Sequence, residues 1–254
     1  MKNDNGLHLL YKNLGETPNE TILRFKKANP EYADIPMTYA GRLDPMAEGL
    51  LIVLSLEEIK EKDKFLDMKK TYEFEVLWGF ETDTLDVLGK VLKFESLEVN
   101  KEEVEIEIKK SIGKLEQKYP AYSSKPVNGK PLFQWAREGK ISEIEIPSHE
   151  VEIFGGEFLG RRTISKDDLI NNIKSKVESV VGDFRQKMIL ERWVEVLKEG
   201  REEFVVDKIQ LVVSSGFYVR QFVSDLAKGL GTAAVTFHIK RTLIGEYAIA
   251  DSIK

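Results

Sequence analysis

The stretch "AGRLDPMAEGLLIVLS" (Ala40–Ser55) decides how the chain is read. Arg42, Asp44 and Pro45 form a short polar turn, and "LLIVL" (50–54) after it has the length and apolar content of a buried strand. Two readings of the turn stand side by side. In one, Asp44 is a helix N-cap, Pro45 the first helical residue, and Gly49 closes a single helical turn. In the other, the turn holds a carboxylate at the mouth of a strand, where the sheet beneath fixes it as a nucleophile or base requires. Burial favours the neutral acid, so a working carboxylate needs a fixed cation beside it. Arg42, two residues away, and Arg220, at the start of a late helix, are the candidates.

Working outward, 6–12 reads as a strand and "TPNETILRFKKANP" as a helix. Thr17 is its cap, Pro18 opens it, Glu20 completes a capping box, and Pro30 ends it. Ser55 with Glu58 repeats the capping pattern and starts a second helix. In "KKTYEFEVLWGF", Tyr72, Phe74, Val76 and Trp78 alternate with polar residues, the period of a half-buried strand. On phase alone Tyr72 is as well read as core. A turn-rich segment, "ETDTLDVLGKV", leads to a strand near 89–95. "VNKEEVEIEIKKSIGKL" (99–115) favours a helix capped by Asn100, although 104–108 also alternates like a strand. A loop then precedes a short helix at 131–137, with strands expected at 144–146 and 150–158. Two helices follow over 166–199 around "GDF", then a strand in "EEFVVDKIQLVVSS". "FYVRQFVSDLAKGLG" is an amphipathic helix stopping at Gly229 or Gly231, and a last strand covers about 235–240. The expectation is a single α+β domain over 1–254, with a mixed, mainly antiparallel sheet flanked by helices.

Composition narrows the chemistry. No cysteine is present, which removes disulfides, thiolate nucleophiles and thiolate metal sites. His8, His149 and His238 lie far apart, so no metal and no cofactor are expected. No apolar run reaches membrane-spanning length, and "MKNDNGLHLLYKNLG" has no signal-peptide core, so the cytoplasm is the expected compartment. A net charge of -5 argues against a generally basic nucleic-acid binder but permits a local basic face. Lys118, Lys125, Lys130, Arg137 and Lys140 cluster in 118–140 against Glu138 alone, interleaved with Tyr119, Tyr122, Phe133 and Trp135. Lys69–Lys70, Arg161–Arg162 and Lys240–Arg241 add basic pairs. Cations beside aromatic rings are a common mode of RNA binding; a solvated loop with a small local core explains the same composition.

Several stretches together resemble a known family. "AGRLDPMAEGLLIV" is similar to the G-x-L-D-P-x-A-x-G motif of the TruB-type tRNA pseudouridine synthases. "KKTYEFEVLWGFETDTLDVLGKV" resembles its second motif, a strand tyrosine before a T-D-T-x-D turn. "PAYSSKPVNGKPLFQWAREG" is similar to its substrate loop, and "SSGFYVRQFVSDLAKGLGTAAVTFHIKRTLIGEY" to its arginine motif and closing strand. The four occur in the family's order, across about 6–90, 118–140 and 207–247.

The resemblance implies a pseudouridine-synthase-like core and an isomerase that converts uridine 55 of the tRNA T-loop to pseudouridine by flipping the base. It places Asp44 on the nucleophile, Tyr72 on the residue stacked against the base, and Arg220 on the partner of the aspartate. Among substrate-binding positions it puts Ile239 in an apolar pocket position and Lys12 in an early K-P-x-G segment. Tyr39, Arg42, Lys69, Lys125, Lys130 and Arg241 are the further expected contacts to the T-arm stem-loop. Tyr39 stands where bacterial members commonly have histidine, and Asn13 replaces the early proline. The segment at about 163–200 looks like a helical insertion, and no residues remain after Lys254 for a PUA domain. The protein is expected to be a monomer. An RNA-binding or tRNA-folding protein without catalysis, and a synthase acting on rRNA or another stem-loop, are the competing readings.

Overall fold

The computed structural model describes residues 6–95, 98–198 and 201–253. The first five residues of the N-terminal reading, the last two of the expected insertion, and Lys254 lie outside the described residues. The chain begins with β1 (Leu7–Lys12), α1 (Pro18–Ala28), β2 (Met37–Ala40), β3 (Ala47–Ser55), α2 (Lys62–Asp67) and β4 (Lys70–Trp78). A small hairpin of β5 (Phe80–Thr82) and β6 (Val91–Phe94) precedes α3 (Lys101–Lys110) and β7 (Gly113–Lys118). An arm follows, with β8 (Pro126–Val127), β9 (Lys130–Pro131) and α4 (Leu132–Arg137). The long β10 (Ser148–Ser165) leads into α5 (Lys166–Glu178) and α6 (Gln186–Lys198). The chain closes with β11 (Glu203–Val213), α7 (Val219–Gly229), β12 (Ala234–Ile244) and β13 (Tyr247–Ala248).

One sheet carries the fold, in the order β1-β3-β12-β4-β11-β10-β7, with β2 on β3 and β13 on β12. Its pairs are antiparallel except β12 with β3, where Ile239 lies opposite Ala47 and Arg241 opposite Gly49. The mixed, mainly antiparallel α+β architecture is as the sequence indicated. One apolar cluster joins Tyr72, Phe74, Val76 and Trp78 to Phe222, Val223 and Leu226 of α7. Another packs Leu169, Ile173, Ile189 and Trp193 of α5 and α6 against Phe80, Val87 and Phe204. Burying each of these large side chains contributes on the order of 1.5–3 kcal/mol.

The local signals hold where the chain is free to follow them. Thr17 and Glu20 form the reciprocal capping box on α1. Asn100 caps α3 by accepting from the Glu102 backbone. The helix reading of 104–108 is correct because Val104 and Ile108 are buried four residues apart while Ile106 is exposed.

Four expectations are corrected. Asp44–Pro45 opens no helical turn: β3 starts at Ala47, and Gly49 lies inside it, paired with both Lys12 and Arg241. Ser55 caps nothing, because its hydroxyl is hydrogen bonded to His8 Nε2 at 2.9 Å across the sheet. A 3₁₀ turn, Leu56–Glu61, therefore precedes α2. Residues 144–146 are not a strand; β10 begins after Pro147, which has no N–H for a ladder, and runs on to Ser165. The helical segment accordingly starts at Lys166, and 163–165 belongs to the sheet.

Candidate functional site

The parallel junction of β3 and β12 builds the site. Its tight approach leaves the turn 41–46 standing at the end of β3, with Asp44 at its tip. The turn is pinned from below by Arg241, whose guanidinium donates to the carbonyls of Leu50 (2.8 Å), Gly41 (3.2 Å) and Arg42 (3.4 Å). Asp44 borders a cleft of about 720 Å³ also lined by Tyr39, Tyr72, Asp86, Tyr122, Arg220 and Ile239.

Arg220 reaches Asp44 from the first turn of α7. Its Nε and Nη2 both donate to Asp44 Oδ2 at 2.8 Å. Nη1 donates to the Thr84 carbonyl at 2.6 Å, and Nη2 to the Tyr122 carbonyl at 3.3 Å. The side chain of Arg220 is 4% exposed and that of Asp44 30%, so the cation is sealed behind a carboxylate that faces the cleft. A second carboxylate stands behind the guanidinium: Asp86 Oδ2 lies 3.7 Å from Arg220 Nε. Burial pushes the Asp86 carboxyl up to about 6, against the pull of Arg220 and a hydrogen bond from Thr84. Burial alone would lower the pKa of Arg220; the charges of Asp44 and Asp86 outweigh it, and the pKa is raised. Only a delocalised fork can serve two carboxylates and two carbonyls at once.

The T-D-T-x-D turn is tied into this network. Thr82 Oγ1 donates to the Asp86 carbonyl at 2.7 Å, and Thr84 Oγ1 to Asp86 Oδ1 at 2.6 Å. Leu85 adopts a left-handed φ of 64°, and its carbonyl accepts from the Thr236 amide of β12 at 3.0 Å. Asp83 Oδ2 accepts from the Tyr122 hydroxyl (3.2 Å) and from Arg185 Nη1 (2.7 Å).

The expected residues divide into three groups. Asp44, Tyr72, Arg220, Tyr39, Arg42, Ile239 and Arg241 come together around the cleft. Tyr72 is 9% exposed and lines it, while Phe74, Val76 and Trp78 on the same face close into core. Core packing and cleft lining thus coexist along one strand. Arg42 is exposed and donates to the Tyr39 hydroxyl at 3.4 Å, whereas the ion pair of Asp44 is with Arg220. Lys12 and Arg241 are wholly buried and support the turn from within: Lys12 Nζ donates to the Ala47 carbonyl at 2.5 Å, and burial lowers its pKa to about 8. Lys69, Lys125 and Lys130 lie off the cleft, over the rings of Phe154, Tyr119 and Trp135, and Lys130 is also paired with Glu138. Arg161 and Arg162 are occupied by Asp207 and Glu75.

Sequence reasoning gave no site role to Arg185 or Tyr218, noted Asp83 and Asp86 only as part of a turn motif, and named Lys70 only within a basic pair. Lys70 was legible, since it shares the face of Tyr72 two residues on; burial lowers its pKa to about 8 as its ammonium donates to the Leu66 and Met68 carbonyls. Among the described residues no group of three or more acidic or histidine side chains is placed to hold a metal. No helix among them is long and apolar enough to cross a membrane.

The fold built on this sheet is shared with solved structures. The chain superposes on a chain of a Cbf5-Nop10-Gar1 complex with a TM-score of 0.57 at 15% identity, covering 95% of this chain and 50% of that one. An H/ACA RNP bound to a substrate RNA containing 2'-deoxyuridine gives a TM-score of 0.55 at 14% identity, over 96% and 48%. At these identities the likeness concerns the fold, and the chain spans about half the length of these structures' chains. Residues 34–183 match the TruB family pseudouridylate synthase N-terminal domain, and the chain belongs to that family. The tRNA pseudouridine synthase B of Borreliella afzelii is 26% identical over 249 residues, covering 98% of this chain and 73% of its own length. That of Lactobacillus acidophilus is 28% identical over 252 residues, with 98% and 72% covered. That of Caldicellulosiruptor saccharolyticus is 35% identical over 155 residues, with 61% and 52% covered.

Proposed function

We propose that this chain is a tRNA pseudouridine synthase that isomerises uridine 55 in the T-loop, with Asp44 as the nucleophile. Membership of the family supports the activity class, and the relatives named above support tRNA as the substrate. The single observation that carries the site assignment is the Asp44–Arg220 pair at the wall of a cleft that Tyr72 also lines.

The reaction breaks the bond from C1′ to N1 of uridine, joins C1′ to C5 of the same base, and releases the C5 hydrogen as a proton while N1 takes up a proton from solvent, so the product is an isomer of the substrate. Electrons balance within the nucleotide. The base must leave the stack first, at a cost of a few kcal/mol. Arg220 pairs with the Asp44 carboxylate and aims it into the cleft, Tyr72 offers a stacking face for the uracil, and Ile239 supplies an apolar floor. Tyr39 stands where its ring can occupy space left by the flipped nucleotide. The arm from Lys118 to Lys140, with cations set over aromatic rings, supports a role in gripping the T-arm.

Tritium release from tRNA labelled at uracil C5 tests the reading. Wild type releases tritium from position 55, and Asp44→Asn binds the same tRNA but releases none. Binding by both with release by neither would leave an RNA-binding protein on this scaffold. Release from another RNA in preference to tRNA would move the target.

A further inference from the structure

The α5–α6 pair lies outside the four sequence motifs, although the family match runs through α5 to residue 183, and its connector reaches the cleft. Asp183, Phe184 and Arg185 all line it. The connector is braced from within: Gln186 Nε2 donates to the Val180 and Gly182 carbonyls, and its Oε1 accepts from the Phe184 amide. Arg185 is held at a left-handed φ of 64°, with its amide donating to Asp183 Oδ1 at 3.1 Å. A non-glycine residue there costs on the order of 1–3 kcal/mol and persists only where its surroundings over-determine it.

That side chain joins two walls of the cleft. Arg185 Nη1 donates to Asp83 Oδ2 at 2.7 Å, and its guanidinium lies 4.8 Å from the centre of the Tyr122 ring. Tyr122 donates to the same Asp83 oxygen. Asp83 precedes Thr84, whose carbonyl accepts from Arg220, and the Tyr122 carbonyl accepts from Arg220 as well. A second link runs alongside: Arg137 of α4 donates to the Asp183 carbonyl at 3.3 Å and sits 5.5 Å from the Phe184 ring. The base of the pair is anchored to the same turn. Trp193 Nε1 lies 3.2 Å from the carbonyls of Val87 and Gly89, and Arg192 Nε donates to that of Val91.

We propose that Arg185 is a positioning residue that fastens the 118–140 arm to the Asp83 turn, so that the α5–α6 pair sets the shape of the RNA cleft before substrate arrives. This rests on the pseudouridine-synthase reading above. The Arg185 side chain is bonded to Asp83 and stacked on Tyr122, one step removed from the Asp44–Arg220 pair. Its loss leaves the reacting groups in place and makes RNA binding order the arm, a cost shared by ground and transition states. Such a loss appears in KM and spares kcat.

The test compares Arg185→Gln, Arg185→Lys and Lys187→Gln, the last a control at an exposed position of α6 two residues on. Two readouts are taken: tritium release from a C5-labelled T-arm stem-loop, and amide hydrogen exchange of the free proteins. Arg185→Gln raises KM about tenfold with kcat within about twofold, Arg185→Lys recovers part of the loss, and Lys187→Gln matches wild type. In the same Arg185→Gln protein the Leu132 and Phe133 amides, which close the arm onto Lys125 and Ser123, exchange faster at unchanged melting temperature. A wild-type KM, a loss confined to kcat, or unchanged exchange in the arm overturns the proposal. No tritium release by wild type refutes the reading of function instead, and the exchange data still decide the role of Arg185.

Discussion

Gly49 of β3 and Arg241 of β12 lie opposite one another where the sheet turns parallel, so close that a Cβ on Gly49 would enter the backbone of Arg241. The φ of Gly49 is +111°, a conformation only glycine adopts freely. The same Arg241 holds the Gly41 and Arg42 carbonyls of the turn that carries Asp44. A close backbone approach is thus what places the carboxylate.

Gly49→Ala is therefore expected to destabilise the protein by about 2–5 kcal/mol, the sum of backbone strain and overpacking. Urea unfolding checks it: the midpoint falls while the slope stays constant. Tritium release falls further than the loss of folded protein explains, because the Asp44 turn moves with the junction. A midpoint within experimental scatter of wild type would show that β3 and β12 can separate without cost.

Much of this was legible in the chain. The alternation in "TYEFEVLW" gave β4, and Thr17 and Glu20 gave the start of α1, because nothing distant competes with those local preferences. The Asp44 turn misled for the opposite reason: Asp, Pro and Gly at helix-boundary spacing satisfy a cap locally, and only the pairing with the distant β12 makes Gly49 a strand residue. Ser55 failed likewise, its hydroxyl taken by His8 across the sheet. In the site, Asp44, Tyr72 and Arg220 carried motif signals. Arg185 carried none, since a lone arginine between helices reads as solvated until its partners Asp83 and Tyr122 are brought to it.

Arg220 serves two carboxylates and two carbonyls at the site. Arg220→Met would leave Asp44 and Asp86 facing each other with no cation between them, costing about 3–5 kcal/mol of stability and lowering turnover by more than about a thousandfold. Arg220→Lys retains the charge but cannot donate to Asp44 and to the Thr84 and Tyr122 carbonyls together, so it falls between the two. Thermal unfolding and single-turnover tritium release on the same samples separate the effects. Equal turnover in the lysine variant and wild type would mean that charge alone, without the fork, is sufficient.

Asp86 gives the site a pH signature. Its carboxyl is pushed up to about 6 by burial, from the usual 3.8. Between those values the folded protein holds a proton that the unfolded chain has released. The group's contribution to stability is therefore full below about pH 4, falls as pH rises towards 6, and is lost above it. Asp86→Asn keeps an oxygen for the Thr84 hydroxyl and the Leu88 amide but cannot titrate. The variant should gain stability relative to wild type across that window, by at most about 3 kcal/mol. Parallel stability–pH curves for the two proteins would rule out a raised pKa.

The acidic chain binds RNA, on this reading, through a minority of its surface. Arg42 in the turn, Lys69 just before β4 and Lys118 at the end of β7 are exposed, whereas Lys130, Arg161 and Arg162 are already paired with carboxylates. Each phosphate neutralised releases counterions, giving a slope of about -0.7 to -0.9 in log affinity against log salt. Roughly three contacts predict a slope near -2 to -3. Fluorescence anisotropy of a labelled T-arm stem-loop with Asp44→Asn measures it without turnover. Arg42→Gln and Lys69→Gln should each flatten the slope by about one, while Arg161→Gln, whose charge is spent on Asp207, should leave the slope unchanged and lower stability instead. A slope near zero in the parent would remove the basic face from the account of binding and leave stacking on Tyr72 and the arm's aromatic rings to hold the RNA.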